Sequence, residues 1–138
     1  MIAIICTDNR GGILFNHRRL SRDSVLSQWI AEHTFPKPIW MREYSRELFD
    51  GFGEAINIKV SEDYLDKAAN GEYCFVEDGN LELYEDRLEA IVLCKWNRDY
   101  PSDTKFPESL CGEDWSVTVI DEFRGSSHDR ITIEKWCK

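Results

Sequence analysis

The chain has 138 residues, 42% of them hydrophobic, with five cysteines and a formal net charge of -9. That length suits one hydrophobic core and one domain, residues 1–138, and no apolar run approaches the roughly 20 residues that a membrane span needs. The acidic balance disfavours nucleic acid or anionic membrane as a partner of the whole surface, and cysteines without CxxC or CxxH spacing fit neither a disulfide framework nor a zinc site.

The first stretch, Ile2–Thr7, is a continuous apolar run, as in a central strand buried on both faces. The N-terminal MIAIIC lacks the length and basic region of a signal peptide, so reduced thiols and a cytoplasmic setting are expected. Turn residues Asp8–Gly12 break the strand. An irregular loop follows, carrying Arg18, Arg19 and Arg22. With Arg10, these arginines face only Asp8 within residues 1–22, so a basic patch stands on an acidic body. Such a patch suggests either a local anionic contact or pairing with the protein's own carboxylates.

Asp23 or Ser24 can cap a helix reaching about His33, with Val25, Leu26, Trp29 and Ile30 on one face. Pro36 and Pro38 bracket the entry to a second strand, Pro38–Met41. Ser45–Phe49 reads as a short helix, Ala55–Val60 as an alternating strand, and Ser61–Gly71 as a capped helical turn closed by glycine. Tyr73–Val76 is a strand, Leu81–Leu88 a helix and Ala90–Trp96 a further buried strand. Trp115–Phe123 and Arg130–Trp136 flank Arg124–Asp129 as an antiparallel hairpin. The alternation predicts an α/β fold, with a mostly parallel central sheet, flanking helices and a C-terminal hairpin.

The order of these segments resembles dihydrofolate reductase. MIAIICTDNRGGI is similar to that family's first strand and loop, and HTFPKPIWMREYSRELF to its second strand and next helix. LEAIVLCKWNRDYPSDTKFPE is similar to a strand followed by Asp-Thr-x-Phe-Pro, and DWSVTVIDEF and RITIEKW to the last two strands. The resemblance covers both ends of the chain, about two thirds of it. The resemblance implies a dihydrofolate-reductase-like fold. It also implies a pocket between the first helix and the central strands, floored by Ile5 and Cys6 and edged by Asp23.

Asp23 falls where the family keeps its active-site carboxylate. The resemblance gives it the role of hydrogen-bonding a pterin ring and assisting its protonation, with burial raising its pKa. Read from the residues alone, Asp23 suits a plain helix cap. Its surroundings depart from the family pattern, RRLSRD standing where Trp-x-Leu-Pro-x-Asp is usual. The Gly-Arg-x-Thr that contacts NADPH phosphates is replaced by Arg42-Glu43-Tyr44-Ser45. The Gly-Gly pair that receives the pyrophosphate is replaced within Val76-Glu77-Asp78-Gly79-Asn80. Carboxylates beside a diphosphate are repulsive, and no arginine near Gly53–Ile56 stands in for the one that grips a folate tail. No cofactor and no tight NADPH binding are expected.

Two further stretches can join a site. Trp96–Asp103 follows a strand, where ligands gather in open α/β sheets, and offers Arg98 and Tyr100. Asp99 and Asp103 read as solvated. Gly125–Arg130 holds His128, a candidate general base if the hairpin folds toward the arginine loop. His17, His33 and His128 lack metal-ligand spacing, and Ser21 beside Arg22 and Asp23 matches no nucleophile motif.

Three readings of function follow. The first is an altered pocket for a small anionic ligand, bound by Arg18, Arg19 and Arg22 through charge-assisted bonds. The second is a non-enzymatic protein whose basic loop docks an acidic partner. The third is a retained dihydrofolate or pterin reductase.

Overall fold

The computed structural model describes residues 1–78 and 80–138, with the backbone alone at Glu108. In chain order, β1 (Ile2–Thr7) leads into a small hairpin, β2 (Gly12–Phe15) and β3 (Arg18–Arg19), and then α1 (Ser24–Thr34). β4 (Pro38–Met41), α2 (Glu43–Arg46) and a 3-10 turn at Glu47–Phe49 follow. Next come β5 (Asn57–Val60), α3 (Tyr64–Lys67), β6 (Tyr73–Phe75), a 3-10 segment Leu81–Arg87 and β7 (Ala90–Lys95). The chain closes with β8 (Thr104–Lys105), β9 (Ser116–Phe123) and β10 (Ile131–Cys137).

The main sheet has the order β5-β4-β6-β1-β7-β10-β9. β1 is parallel to both β6 and β7, and β4 is parallel to β5 and β6. β10 turns the sheet antiparallel, pairing with β7 on one side and β9 on the other. The apolar run of β1 therefore does lie at the centre of a mostly parallel sheet, where both faces are covered.

Side chains alternate across β1, and each face has its own core. Ala3 and Ile5 pack with Tyr64, Leu65, Leu81, Ile91, Leu93 and Trp115. Ile4 and Cys6 pack on the other face with Leu26 and Ile30 of α1, together with Phe75, Val92 and Ile133. Fully burying a side chain such as Leu26 or Ile30 stabilises by about 1.5–3 kcal/mol. α1 begins where Asp23 accepts the N–H groups of Val25 and Leu26. It ends at Thr34, with the Phe35 N–H closing on Ala31, just ahead of a proline that could not continue it.

Several boundaries differ from the sequence reading. The arginine loop is partly ordered as β2 and β3, which join β8 in a separate small sheet. Phe15 pairs with Arg18 around Asn16 and His17, whose φ values of 50° and 63° form the two-residue turn that suits a hairpin. The Leu81–Leu88 helix is instead a 3-10 segment broken at Tyr84. The helical turn in Ser61–Gly71 shrinks to α3, and the alternating strand Ala55–Val60 begins at Asn57 with neither face deeply buried.

Candidate functional site

The C-terminal ends of β1, β6 and β7 carry Cys6, Phe75–Glu77 and Trp96, and with α1 these residues frame a cleft. Ligands gather at this end of an open parallel sheet. Leu26, Ile30, Leu48 and Phe49 form its apolar wall, and Ser21, Arg22 and Asp23 its rim. The free volume is about 20 Å³, room for about one water.

Asp23 is 3% exposed. One carboxylate oxygen accepts from Val25 N at 3.0 Å, Leu26 N at 3.2 Å and Ser126 N at 2.9 Å. The other accepts from Ser127 N at 2.8 Å and His128 Nδ1 at 3.0 Å. It is thus both the cap of α1 and the anchor of the β9–β10 loop. Gly125 allows that approach, since a Cβ there would strike the Asp23 carboxylate and the tip of Ile131. The sequence reading expected a raised pKa. Burial does push that way, but the His128 ring and the Ser127, Ser126 and Leu26 N–H groups outweigh it and hold Asp23 well below the ordinary carboxylate range.

His128 is buried and stacks on Trp96, with ring centroids 4.5 Å apart and planes 22° apart. Asp23 accepts at Nδ1, so that nitrogen carries the proton and Nε2 is the acceptor. Nε2 lies 3.1 Å from Ser21 Oγ and 2.9 Å from Tyr100 Oη, and those hydroxyls are 3.4 Å apart. Tyr100 is set in place by its backbone, whose N–H donates to Asp8 at 3.0 Å. Asp8 also accepts from Gly12 and Arg10. Burial would raise the Asp8 pKa, but these three N–H groups lower it. The hairpin loop, the arginine loop and the segment after β7 meet in one array: Asp23–His128–(Ser21, Tyr100).

The opposite rim is built from ion pairs. Arg19 meets Glu77 in a fork, Nε at 2.9 Å and Nη2 at 3.0 Å, and Glu47 at 2.5 Å through Nη1. It also donates to Tyr44 O and lies 4.2 Å from the Tyr44 ring centre. Burial alone would make the guanidinium easier to discharge, but Glu77 and Glu47 raise its pKa and fix its charge. Glu77 further accepts from Ser45 Oγ at 2.7 Å. Beyond it, Arg42 sits 3.4 Å from Glu62 and 3.7 Å from Asp78, and Tyr64 donates to Asp78 at 2.8 Å. Gly79, part of the stretch expected to matter here, lies outside the described residues.

The structure thus gathers Cys6, Arg19, Arg22, Asp23, Tyr100 and His128 around or beside one cleft. Ile5 does not join them. Alternation along β1 turns it into the opposite core, and the floor is Cys6 with Phe75. A hydrogen bond with Cys94, added to burial, pushes the Cys6 thiol well up, so it is a poor nucleophile. Arg18 is exposed on β3 and lines a separate groove with Phe15 and Tyr100. Arg98 is exposed in another groove with Asp129 and Arg130, outside the cleft, and the Tyr100 hydroxyl beside its guanidinium raises its pKa. Arg22 reaches out, 62% exposed and 3.9 Å from Glu47. Ser21, Glu47 and Glu77 took no site role in the sequence reading. Their partners lie between 25 and 107 residues away, and no local pattern marks them.

Among the described residues, no three His, Cys, Asp or Glu side chains come together as a metal-ligand set, and no helix is long and apolar enough to cross a membrane.

No protein-family model matches the chain, and no curated protein matches it. Among solved structures it is similar to dihydrofolate reductase from Enterococcus faecalis complexed with NADP(H) and RAB-propyl. That likeness has a TM-score of 0.62 at 14% identity and covers 99% of this chain and 94% of that one. The fold is dihydrofolate-reductase-like over nearly its whole length, well beyond the two thirds carried by the sequence resemblance.

Proposed function

We propose that this protein uses a dihydrofolate-reductase-like scaffold to hold a small ligand without a dinucleotide. The observation that carries this reading is the pairing of Arg19 with Glu77 and of Arg42 with Asp78. In NADPH-binding relatives of the fold, the corresponding positions offer glycine, arginine and backbone N–H groups to phosphate. Here the cations are engaged by the chain's own carboxylates, and a diphosphate would meet negative charge at partly desolvated range.

The ligand we infer has a flat apolar body and a single anionic group. Its body faces Leu26, Ile30, Leu48 and Phe49, and its anion meets Arg22, the rim arginine left mostly exposed. Arg19, first expected to share this role, already spends four of its five N–H donors on Glu77, Glu47 and Tyr44 O. Entry requires Leu20 and Arg22 to swing outward, because the resting cleft holds about one water.

The test is amide NMR titration with two probes, benzoate and NADPH. Benzoate is expected to shift Ser21, Arg22, Leu26 and Phe49 together and saturably, with the effect weakened in Arg22→Glu. NADPH is expected to give no saturable shift up to millimolar concentration. Micromolar NADPH binding at the cleft, or benzoate shifts absent from these residues, would overturn the reading.

The acidic-partner alternative draws on Arg18, exposed on the small hairpin next to Phe15, itself 44% exposed. A partner that binds the wild type and is lost in Arg18→Glu, with benzoate binding unchanged, would favour that surface over the cleft.

A further inference from the structure

We propose that Ser21 is an activated nucleophile, with His128 as its general base and Asp23 as the positioning residue, able to accept an acyl group from a small ester in the cleft. The geometry is that of a nucleophile, base and orienter in line. Ser21 Oγ is 3.1 Å from His128 Nε2, and His128 Nδ1 is 3.0 Å from the Asp23 carboxylate. Such a constellation is recognised by roles and distances, on any fold and in any chain order.

Three features separate this array from a structural tie. The latch between α1 and the hairpin loop is already made by four backbone N–H groups, those of Val25, Leu26, Ser126 and Ser127. An imidazole is not needed to complete it. The ring is also held in one orientation, stacked on Trp96 and edged by Tyr100, so Nε2 stays aimed at the hydroxyls. Finally, Ser21 is half-buried on the rim of the cleft, where a ligand atom can reach it.

The step balances within the array. As Oγ attacks the ester carbonyl, its proton passes to Nε2 and an Oγ–C bond forms. The carbonyl electron pair collapses, the C–O bond to the alcohol breaks, and the alcohol leaves with the proton from Nε2. Water then attacks the acyl-serine, giving up a proton to the same nitrogen; the C–Oγ bond breaks, Oγ takes that proton back from Nε2, and the carboxylic acid is released. Tyr100 Oη, 2.9 Å from Nε2 and 3.4 Å from Ser21 Oγ, shares the one Nε2 lone pair at rest, and once that nitrogen takes the Ser21 proton the phenol is freed to donate where the oxyanion develops.

This inference rests on the cleft admitting a small ligand, and its test separates the two claims. The intact protein is treated with phenylmethanesulfonyl fluoride, in which Oγ displaces fluoride, and followed by intact mass and peptide mapping. A single sulfonyl adduct is expected on Ser21, absent in Ser21→Ala and formed at least about 100-fold more slowly in His128→Gln. Ser21→Ala removes one hydroxyl from a half-buried loop, so it probes reactivity with the fold intact. An adduct elsewhere, none at all, or an undiminished rate in a folded His128→Gln would overturn the proposal. If labelling fails while the benzoate shifts persist, the nucleophile is wrong and the cleft stands. If both fail, the cleft itself is wrong.

Discussion

The two rims of the cleft solve the same problem in different ways. Each places carboxylates near the C-terminal ends of parallel strands and satisfies them from within the chain. On the Glu77 rim the partners are a guanidinium and a hydroxyl, and the result is nearly closed: four of the five Arg19 N–H donors are taken within the chain. On the Asp23 rim the partners are backbone N–H groups and one imidazole, and the imidazole passes the contact onward to Ser21 on the cleft and Tyr100 in the neighbouring groove. A buried carboxylate at this end of the sheet can be committed wholly to partners within the chain. What matters for chemistry is which partner has a second hydrogen-bonding end.

The sharpest way to break this comparison is Asp23→Ala. It strands five donors in a buried setting and removes the cap of α1. A loss of about 3–5 kcal/mol is expected from urea unfolding. A loss near 1 kcal/mol, the size of a helix cap alone, would mean that the hairpin anchor contributes little. On the other rim, Glu77→Ala leaves Arg19 with Glu47 and costs about 2–3 kcal/mol, less than a fully buried pair because both partners keep some water contact. The double variant Arg19→Met with Glu77→Ala should recover part of that loss, because no lone charge remains. Failure to recover it would show that packing, rather than charge, sets the stability of this rim. At the small end, Arg18→Glu is expected to change stability by less than about 0.5 kcal/mol, since Arg18 is exposed with no carboxylate partner among the described residues.

Much of the fold was legible because its signals are local. The apolar run Ile2–Thr7, the capped helix after Asp23 and the strands flanking Arg124–Asp129 each carry their own pattern, and their order narrowed the topology. The hairpin at Asn16–His17 was missed because it depends on two residues other than glycine holding positive φ. The helix expected at Leu81–Leu88 failed because the tighter winding and the break at Tyr84 leave no clean helical period. Of the site, Asp23 and His128 were visible as candidates, but the link between them spans 105 residues and comes from sheet topology alone. Ile5 was misplaced by one position of alternation. The destiny of Arg19 was undecidable from its neighbours, because the carboxylates that claim it belong to α2's end and to the segment after β6.

The acid limb of stability follows from the same wiring. Asp23 is held below its unfolded pKa, so its contribution is fully present above the ordinary carboxylate range and is lost as pH falls through and below it. The most direct measurement is therefore the carboxyl carbon of Asp23, followed by NMR as the folded protein is acidified. The wiring described here predicts a signal that stays ionised through about pH 3, below the usual aspartate midpoint. A carboxyl that takes up its proton near pH 5–6, as an acid in an apolar ligand pocket would, would contradict it.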